Sequence, residues 1–223
     1  MHIVQIANFV KADSGGIRRC QSQLQTEYRR LGHRVTTVVP RTDDREPEAE
    51  TATLRGTIVP FTGGYRAIIG RRPLRTLISE LHPDIVELSD KTTLAWLPEW
   101  LASVGIPSIV ISHERTDIVV SNYAPAFLPI EGLVDRFRSR VAAHADAIVC
   151  ASNFAAAEFR DRGLGERIRL VPLGVDLTTF VPSANPSKAN ELSVVMCGRL
   201  SPDRKSTRLN SSHVSESRMP SSA

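Results

Sequence analysis

Residues Ile168 to Pro182 read IRLVPLGVDLTTFVP. The short apolar run of Ile168, Leu170 and Val171 predicts a buried strand. Pro172 ends it, because proline has no N–H to give to a ladder. Gly174 offers a backbone free to turn sharply. Asp176 can cap the turn that follows, and Phe180 and Val181 return an apolar anchor to the body of the protein. The stretch reads as a strand, a tight turn and a short helix.

Upstream, strands and helices alternate. His2 to Ala7 is an apolar strand, followed by a loop from Asn8 to Ser14 and then Gly15-Gly16. Ile17, Cys20, Leu24, Tyr28 and Leu31 fall at helical spacing, with Arg and Gln on the other face. Gly32 stops that helix, and Arg34 to Pro40 is a second strand. This opening predicts a parallel sheet with a right-handed crossover. Arg41 to Arg55 reads as a polar surface loop and Thr57 to Phe61 as a short strand. Gly63 to Arg75 reads as a mobile loop, with Pro73 suited to the first turn of the next helix. Asp84 to Leu88 and Pro107 to Ile111 are buried strands. Between them lies a helix from Thr92 to Val104 that carries Leu94, Leu97, Trp100 and Leu101. Tyr123 to Pro129 is a loop. Leu133, Val134, Phe137 and Val141 then form a helical stripe, with Arg136, Arg138 and Arg140 on a solvated face. Ala145 to Ala151 is a strand, and Ser152 caps a helix from Asn153 to Arg162. The fold class is α/β, a doubly wound Rossmann-like parallel sheet of about seven strands.

Ligands of open α/β sheets bind beyond the carboxyl ends of the strands. Two polar groups fall there: Ser89-Asp90 after the 84–88 strand and His113-Glu114 after the 107–111 strand. All four are candidates to line a cleft, and His113 is the candidate catalytic residue. A histidine satisfied inside the fold is the alternative reading of His113. Gly15-Gly16 at the head of a helix suits an anion, since glycines let backbone N–H groups approach it. A plain tight turn is the alternative there, because the spacing is neither G-x-G-x-x-G nor a Walker loop. Arg66, Arg71, Arg72 and Arg75 beside Ile68 and Ile69 make the 66–75 basic loop a candidate for contact with an anionic membrane or an acceptor phosphate. A solvated basic loop is the other reading.

Composition narrows the classes. The chain has 223 residues, 41% hydrophobic and 23% charged, as in ordinary soluble domains. That is room for one domain and the start of another. The net charge is +4, of which Arg204, Lys205, Arg208 and Arg218 against Asp203 and Glu216 supply half. The remainder is too small to argue for nucleic acid. Cys20, Cys150 and Cys197 lie in apolar patterns, as reduced buried thiols do, and no Cys/His spacing suggests a metal. Neither a signal peptide nor a membrane span is predicted, so the expected location is cytoplasmic, with the basic loop a candidate for peripheral membrane contact.

The pattern V-P-x-G-V-D-x-x-x-F-x-P resembles the segment that closes the N-terminal domain of retaining, GT-B-fold glycosyltransferases of family 4. Gly15-Gly16, the run H-A-D-A-I-V-C-A-S ending at Ser152, and Cys197-Gly198-Arg199-Leu200-Ser201-Pro202 agree with it. The resemblance covers residues 1–202. It implies two Rossmann-like domains with the active site between them, and transfer of a sugar from a UDP- or GDP-linked donor with retention of configuration. The acceptor is left unnamed, and no further cofactor or metal is expected. The Gly15-Gly16 loop, Gly174 and Asp176 would face the cleft. Arg199 and a lysine a few residues later would neutralise the diphosphate leaving group. On this reading residues 1–182 form the acceptor-side domain, 183–191 a linker, and 192–202 the first strand of the donor-binding domain. The paired glutamates of that second domain are absent, so the chain as given is expected to be inactive. A nucleotide-binding module of the epimerase or dehydrogenase kind is the alternative, as is a domain with a purely structural or interaction role. The missing G-x-G-x-x-G argues against the first.

Residues 203–223, DRKSTRLNSSHVSESRMPSSA, have no apolar period and read as a disordered tail. They also resemble translated sequencing-adapter DNA. One frame of a common short-read adapter encodes Asp203 to His213 without mismatch, and its later part encodes Ser217 to Ala223. Genomic DNA sequenced across codon 202 should therefore return different codons after Pro202. Recovery of this same tail would sink the reading.

Overall fold

The computed structural model describes residues 1–9, 16–41, 50–60, 62, 64–123 and 129–181. Its first compact unit is Met1–Val175, and Asp176 begins a second. In the first unit, β1 (His2–Ile6) is buried at every position. It leads to α1 (Gly16–Arg30) and β2 (Arg34–Pro40), and Gly32, at φ +82°, turns the chain between them. Next come β3 (Thr51–Leu54), β4 (Thr57–Ile58), β5 (Arg66–Ala67), α2 (Arg71–Leu81) and β6 (Ile85–Leu88). α3 (Leu97–Ser103), β7 (Ser108–Ser112), α4 (Thr116–Tyr123), α5 (Glu131–His144) and β8 (Ala147–Cys150) follow. The last elements are α6 (Asn153–Ala156), two 3-10 turns at Ala157–Arg162 and Gly165–Arg167, and β9 (Ile168–Leu170).

Seven strands form one sheet in the order β3-β2-β1-β6-β7-β8-β9. Every pair in it is parallel. The order reverses between β1 and β6, the switch point of a doubly wound fold. One sheet face carries Val4, Ile6, Val38, Val86, Leu88, Val110, Ile148 and Cys150. These pack against Leu74 and Ile78 of α2, Leu97 and Leu101 of α3, Val141 of α5 and Phe159. The other face meets α1 through polar groups. Glu87, 4% exposed, accepts hydrogen bonds from Gln5 Nε2 at 2.9 Å and from the Tyr28 hydroxyl at 2.8 Å. Burial pushes the Glu87 carboxyl up, and those two bonds hold it back.

Several local expectations change. Arg41 to Arg55 is not all loop, since Thr51–Leu54 pairs in parallel with β2 as the sheet edge. Thr57–Ile58 is a strand but leaves the main sheet, pairing antiparallel with Arg66–Ala67. Arg71, Arg72 and Arg75 belong to α2 rather than to a loop. Arg71 and Arg75 stack on Trp96 at 5.1 and 5.2 Å, and Arg75 also on Trp100 at 5.4 Å. The 92–104 helix is shorter, Leu97–Ser103, and the 153–162 helix passes into a 3-10 turn. Ser152 does cap α6, its Oγ accepting from Ala155 N–H at 3.2 Å. α4 was not expected. Cys150 is buried, but Cys20 is only half-buried because α1 lies on the surface. Leu133 is 48% exposed, and Arg138 turns inward instead of lying on the solvated face. The largest change is at β9. As an edge strand it leaves Leu170 and Val171 exposed, and Phe180 and Val181 are exposed too, not anchoring. Cys197, the 183–191 linker, the 192–202 strand and the 203–223 tail lie outside the described residues.

Edge and centre should respond differently to truncation. Leu88→Ala, at a fully buried central position, should cost about 2–5 kcal/mol. Leu170→Ala on the edge strand should stay within about 0.5 kcal/mol. Chemical denaturation midpoints check both.

Candidate active site

With all seven strands parallel, the segments that follow β1, β6, β7, β8 and β9 share one edge of the sheet. β1, β6 and β7 are neighbours, so Asn8, Ser89-Asp90-Lys91 and His113-Glu114-Arg115 emerge side by side. Apolar strands fill the core below, and polar side chains collect at the edge in two networks.

The first network surrounds Asn8 and Asp90, both buried. Asn8 Oδ1 accepts from Ile68 N–H at 2.8 Å. Its Nδ2 lies within hydrogen-bond distance of Ile68 O, Asp90 Oδ2 and Thr93 Oγ1, at 3.2, 3.2 and 2.7 Å. Asp90 Oδ1 accepts from both the N–H and the hydroxyl of Thr92 at 2.7 Å, and Oδ2 accepts from the Thr93 hydroxyl. Asp90 therefore shapes the turn after β6 rather than presenting a free carboxylate. The half-buried Ser89 donates to Ile6 O at 3.3 Å.

The second network is centred on Lys91 and Glu158, whose side chains are 9% and 0% exposed. Lys91 Nζ donates to Glu158 Oε2, to the Glu114 carbonyl, and to Ser112 Oγ at 2.7 Å. Glu158 Oε1 accepts from Thr116 N–H at 2.9 Å and Arg138 Nε at 3.1 Å. Arg138 Nη2 lies 3.3 Å from Asp117 Oδ1, and Arg115 grips Asp117 with two bonds of 3.0 and 2.7 Å. Burial pulls the Lys91 ammonium below the ordinary lysine range, and the Glu158 carboxylate opposes that. The bonds from Arg115 hold Asp117 down to about 2.

His113 sits above this pair, half-buried, with the exposed Glu114 beside it. Burial pushes its imidazole below the usual range; Glu114 opposes the shift and Lys91 adds to it. Gly16 opens α1, and Gly174 follows β9. A Cβ at either would meet nothing within 4 Å, and neither takes a left-handed φ. The sharp turn expected of Gly174 is thus not a conformation only glycine can adopt. In the second unit, Asp176 caps its own turn. It accepts from Thr178 N–H and hydroxyl at 2.9 and 2.6 Å and from the Thr179 hydroxyl at 2.7 Å, which hold its carboxyl well below the usual range. Gly15 and Arg199 lie outside the described residues. Sequence reasoning missed Asn8, Lys91, Asp117, Arg138 and Glu158. Asn8 and Lys91 were discoverable, since both follow strand ends. Nothing marked Glu158 within AAAEFRDR.

The sequence model for Glycosyltransferase Family 4 matches residues 14–179. The chain belongs to glycosyltransferase family 4. The family frame agrees with two kinds of similarity. A GDP-mannose-dependent alpha-(1-6)-phosphatidylinositol dimannoside mannosyltransferase of Mycobacterium tuberculosis is 36% identical over 222 residues. That alignment covers 93% of this chain and 57% of the relative, so the chain spans little more than half of the protein it matches. Among solved structures, sucrose-phosphate synthase from Thermosynechococcus elongatus superposes with a TM-score of 0.58 at 17% identity, over 82% of this chain and 50% of that one. HepE of Anabaena in complex with UDP gives 0.54 at 12% identity, over 80% and 45%. At such identities these two likenesses concern the fold.

The suppressed basicity of His113 has a measurable consequence. The unfolded chain takes a proton on this imidazole below its ordinary value of 6.5 while the folded chain resists it. Stability at His113 is therefore full above that pH and lost as pH falls. His113→Gln should unfold with a shallower acid-side decline than the parent between roughly pH 6.5 and 5, measured by urea midpoints at each pH. Parallel curves would contradict the buried, neutral imidazole.

Proposed function

We propose that this chain is the acceptor-side part of an enzyme that transfers mannose from GDP-mannose to a mannosylated phosphatidylinositol. The observation that carries the proposal is the 36% identity to a mannosyltransferase of that description along 93% of the chain. The polar edge supports it. A neutral His113 can accept as well as donate a hydrogen bond, as a residue orienting a sugar hydroxyl must. The open space beside Gly16 and Gly174 leaves backbone accessible to a ligand, and the start of α1 favours negative charge. As the bond from mannose to the diphosphate breaks, charge builds on the leaving oxygen, and Arg199 is the residue proposed to neutralise it. The epimerase- or dehydrogenase-like alternative is not favoured, because the family match covers residues 14–179. A lipid acceptor also gives a role to α2. Its Arg71, Arg72 and Arg75 are exposed beside Ile69, which is 54% exposed, and they suit an anionic headgroup. Among the described residues no helix is long and apolar enough to cross a membrane.

The test is a transfer assay with GDP-mannose and UDP-glucose against phosphatidylinositol mannosides. It is run on the 223-residue chain and on a full-length protein with the same acceptor-side residues. The 223-residue chain should show no turnover, because donor and acceptor must be held together for transfer. The full-length protein should use GDP-mannose, and His113→Ala should lower its kcat by about a hundredfold or more. Preference for UDP-glucose would overturn the donor assignment. Comparable turnover by both proteins would overturn the division into acceptor and donor sides.

A further inference from the structure

His113 lies on a short turn between β7 and α4. That turn ends in two backbone groups that need partners: the part-buried Glu114 carbonyl and the buried Thr116 N–H. Both are met from below by one ion pair. Lys91 Nζ reaches the Glu114 carbonyl and also Ser112 Oγ, 2.7 Å away at the end of β7. Glu158 Oε1 takes the Thr116 N–H at 2.9 Å. Lys91 enters from the segment after β6 and Glu158 from the segment after β8, so the turn after β7 is held from both flanking strands. Lys91 Nζ also rests 5.4 Å from the centre of the Phe159 ring, which is fully buried. The remaining charged neighbours are Arg138 on Glu158, Asp117 on Arg138, Arg115 on Asp117, and Glu114 beside His113.

A buried ion pair is a poor device for stability alone, since a well-packed apolar pair of similar volume often does as well. An apolar pair has no means of satisfying the Glu114 carbonyl or the Thr116 N–H. We propose that Lys91 and Glu158 are positioning residues: they set the backbone of the His113–Thr116 turn and so aim His113 into the transfer site. The aim matters because displacing a catalytic group by about an ångström can cost a hundredfold in rate. The proposal rests on the reading of His113 given above, but its own test does not.

Two variants separate positioning from stability. The double variant Lys91→Met/Glu158→Leu removes the pair while keeping side-chain volume. Thr116→Pro leaves both members of the pair in place and removes the N–H that Glu158 holds, along with a hydroxyl that makes no hydrogen bond among the described residues; proline is tolerated in the first turn of a helix such as α4. In the 223-residue chain, each should unfold cooperatively. In the double variant the Thr116 amide should exchange at least about tenfold faster. In Thr116→Pro, which keeps the Lys91 charge in place, the His113 imidazole, followed by nitrogen-15 NMR, should titrate closer to an ordinary histidine. In the full-length protein both should lose kcat about tenfold or more with KM for GDP-mannose within about twofold, as expected when an interaction made in the transition state is lost. If the double variant fails to fold, Thr116→Pro decides by its titration and kcat. An unchanged His113 titration in folded Thr116→Pro, with Thr116 still protected in the folded double variant, would show that the pair only stabilises, and the proposal would fall. Unchanged kcat in His113→Ala would remove the catalytic reading of His113 alone, leaving exchange and titration to decide the positioning role.

Discussion

Seven strands running in one direction cannot be joined by tight hairpins. Each must return through a crossover, and so every strand ends at the same edge of the sheet. The placement of chemistry in this protein follows from that constraint. Apart from Gln5 and Glu87 on the face under α1, buried strand positions are mostly apolar, while the segments leaving the carboxyl edge carry Asn8, Asp90, Lys91, His113 and Ser152. The reversal between β1 and β6 separates the crossovers onto opposite faces and opens the edge there.

Concentrating polar groups at a partly buried edge raises the cost of leaving any unpaired. The structure answers by pairing the two buried carboxylates fully, while the buried Thr116 hydroxyl is left without a partner among the described residues. Asp90 spends its oxygens on Thr92, Thr93 and Asn8, and Glu158 spends its own on Lys91, Thr116 and Arg138. Against that background His113 and Glu114 differ, because their side chains stay at least partly open to solvent. The groups that build the edge are occupied by one another. Glu87 shows the same economy on the other face, where a carboxylate under α1 is held by Gln5 and Tyr28.

The two sides of the sheet also end differently. β3 closes one edge as a short strand of half-buried residues. β9 closes the other with Leu170 exposed, and Val171, Leu173 and Val175 follow it, exposed as well. The curated relative is longer, with this chain covering 57% of it. The family assignment rests on the matched segment, 14–179, which ends within the VPLGVDLTTF stretch.

Much of this was legible in the residues. Alternating strand and helix periods dictated an α/β fold, because helix and strand place apolar side chains at different spacings along the chain. Punctuation by Gly32, Ser152 and Asp176 acts within a few residues, so it could be read directly. The pattern after Ile168 carried the family. Strand ends also marked Ser89, Asp90, His113 and Glu114 as edge residues, since position after a parallel strand needs only the order of elements. The rest depended on contacts between distant residues. Thr51–Leu54 is a strand only because β2 offers it a ladder, and Leu170 is exposed only because no described strand flanks β9 on its outer side. Arg138 sits at a helix position that looks solvated until α4 and Glu158 supply partners. The Lys91–Glu158 pair joins residues 67 apart in sequence. No local period encodes such a pair: the sheet order brings their two segments together over the turn that carries His113, and burial makes each charge require the other.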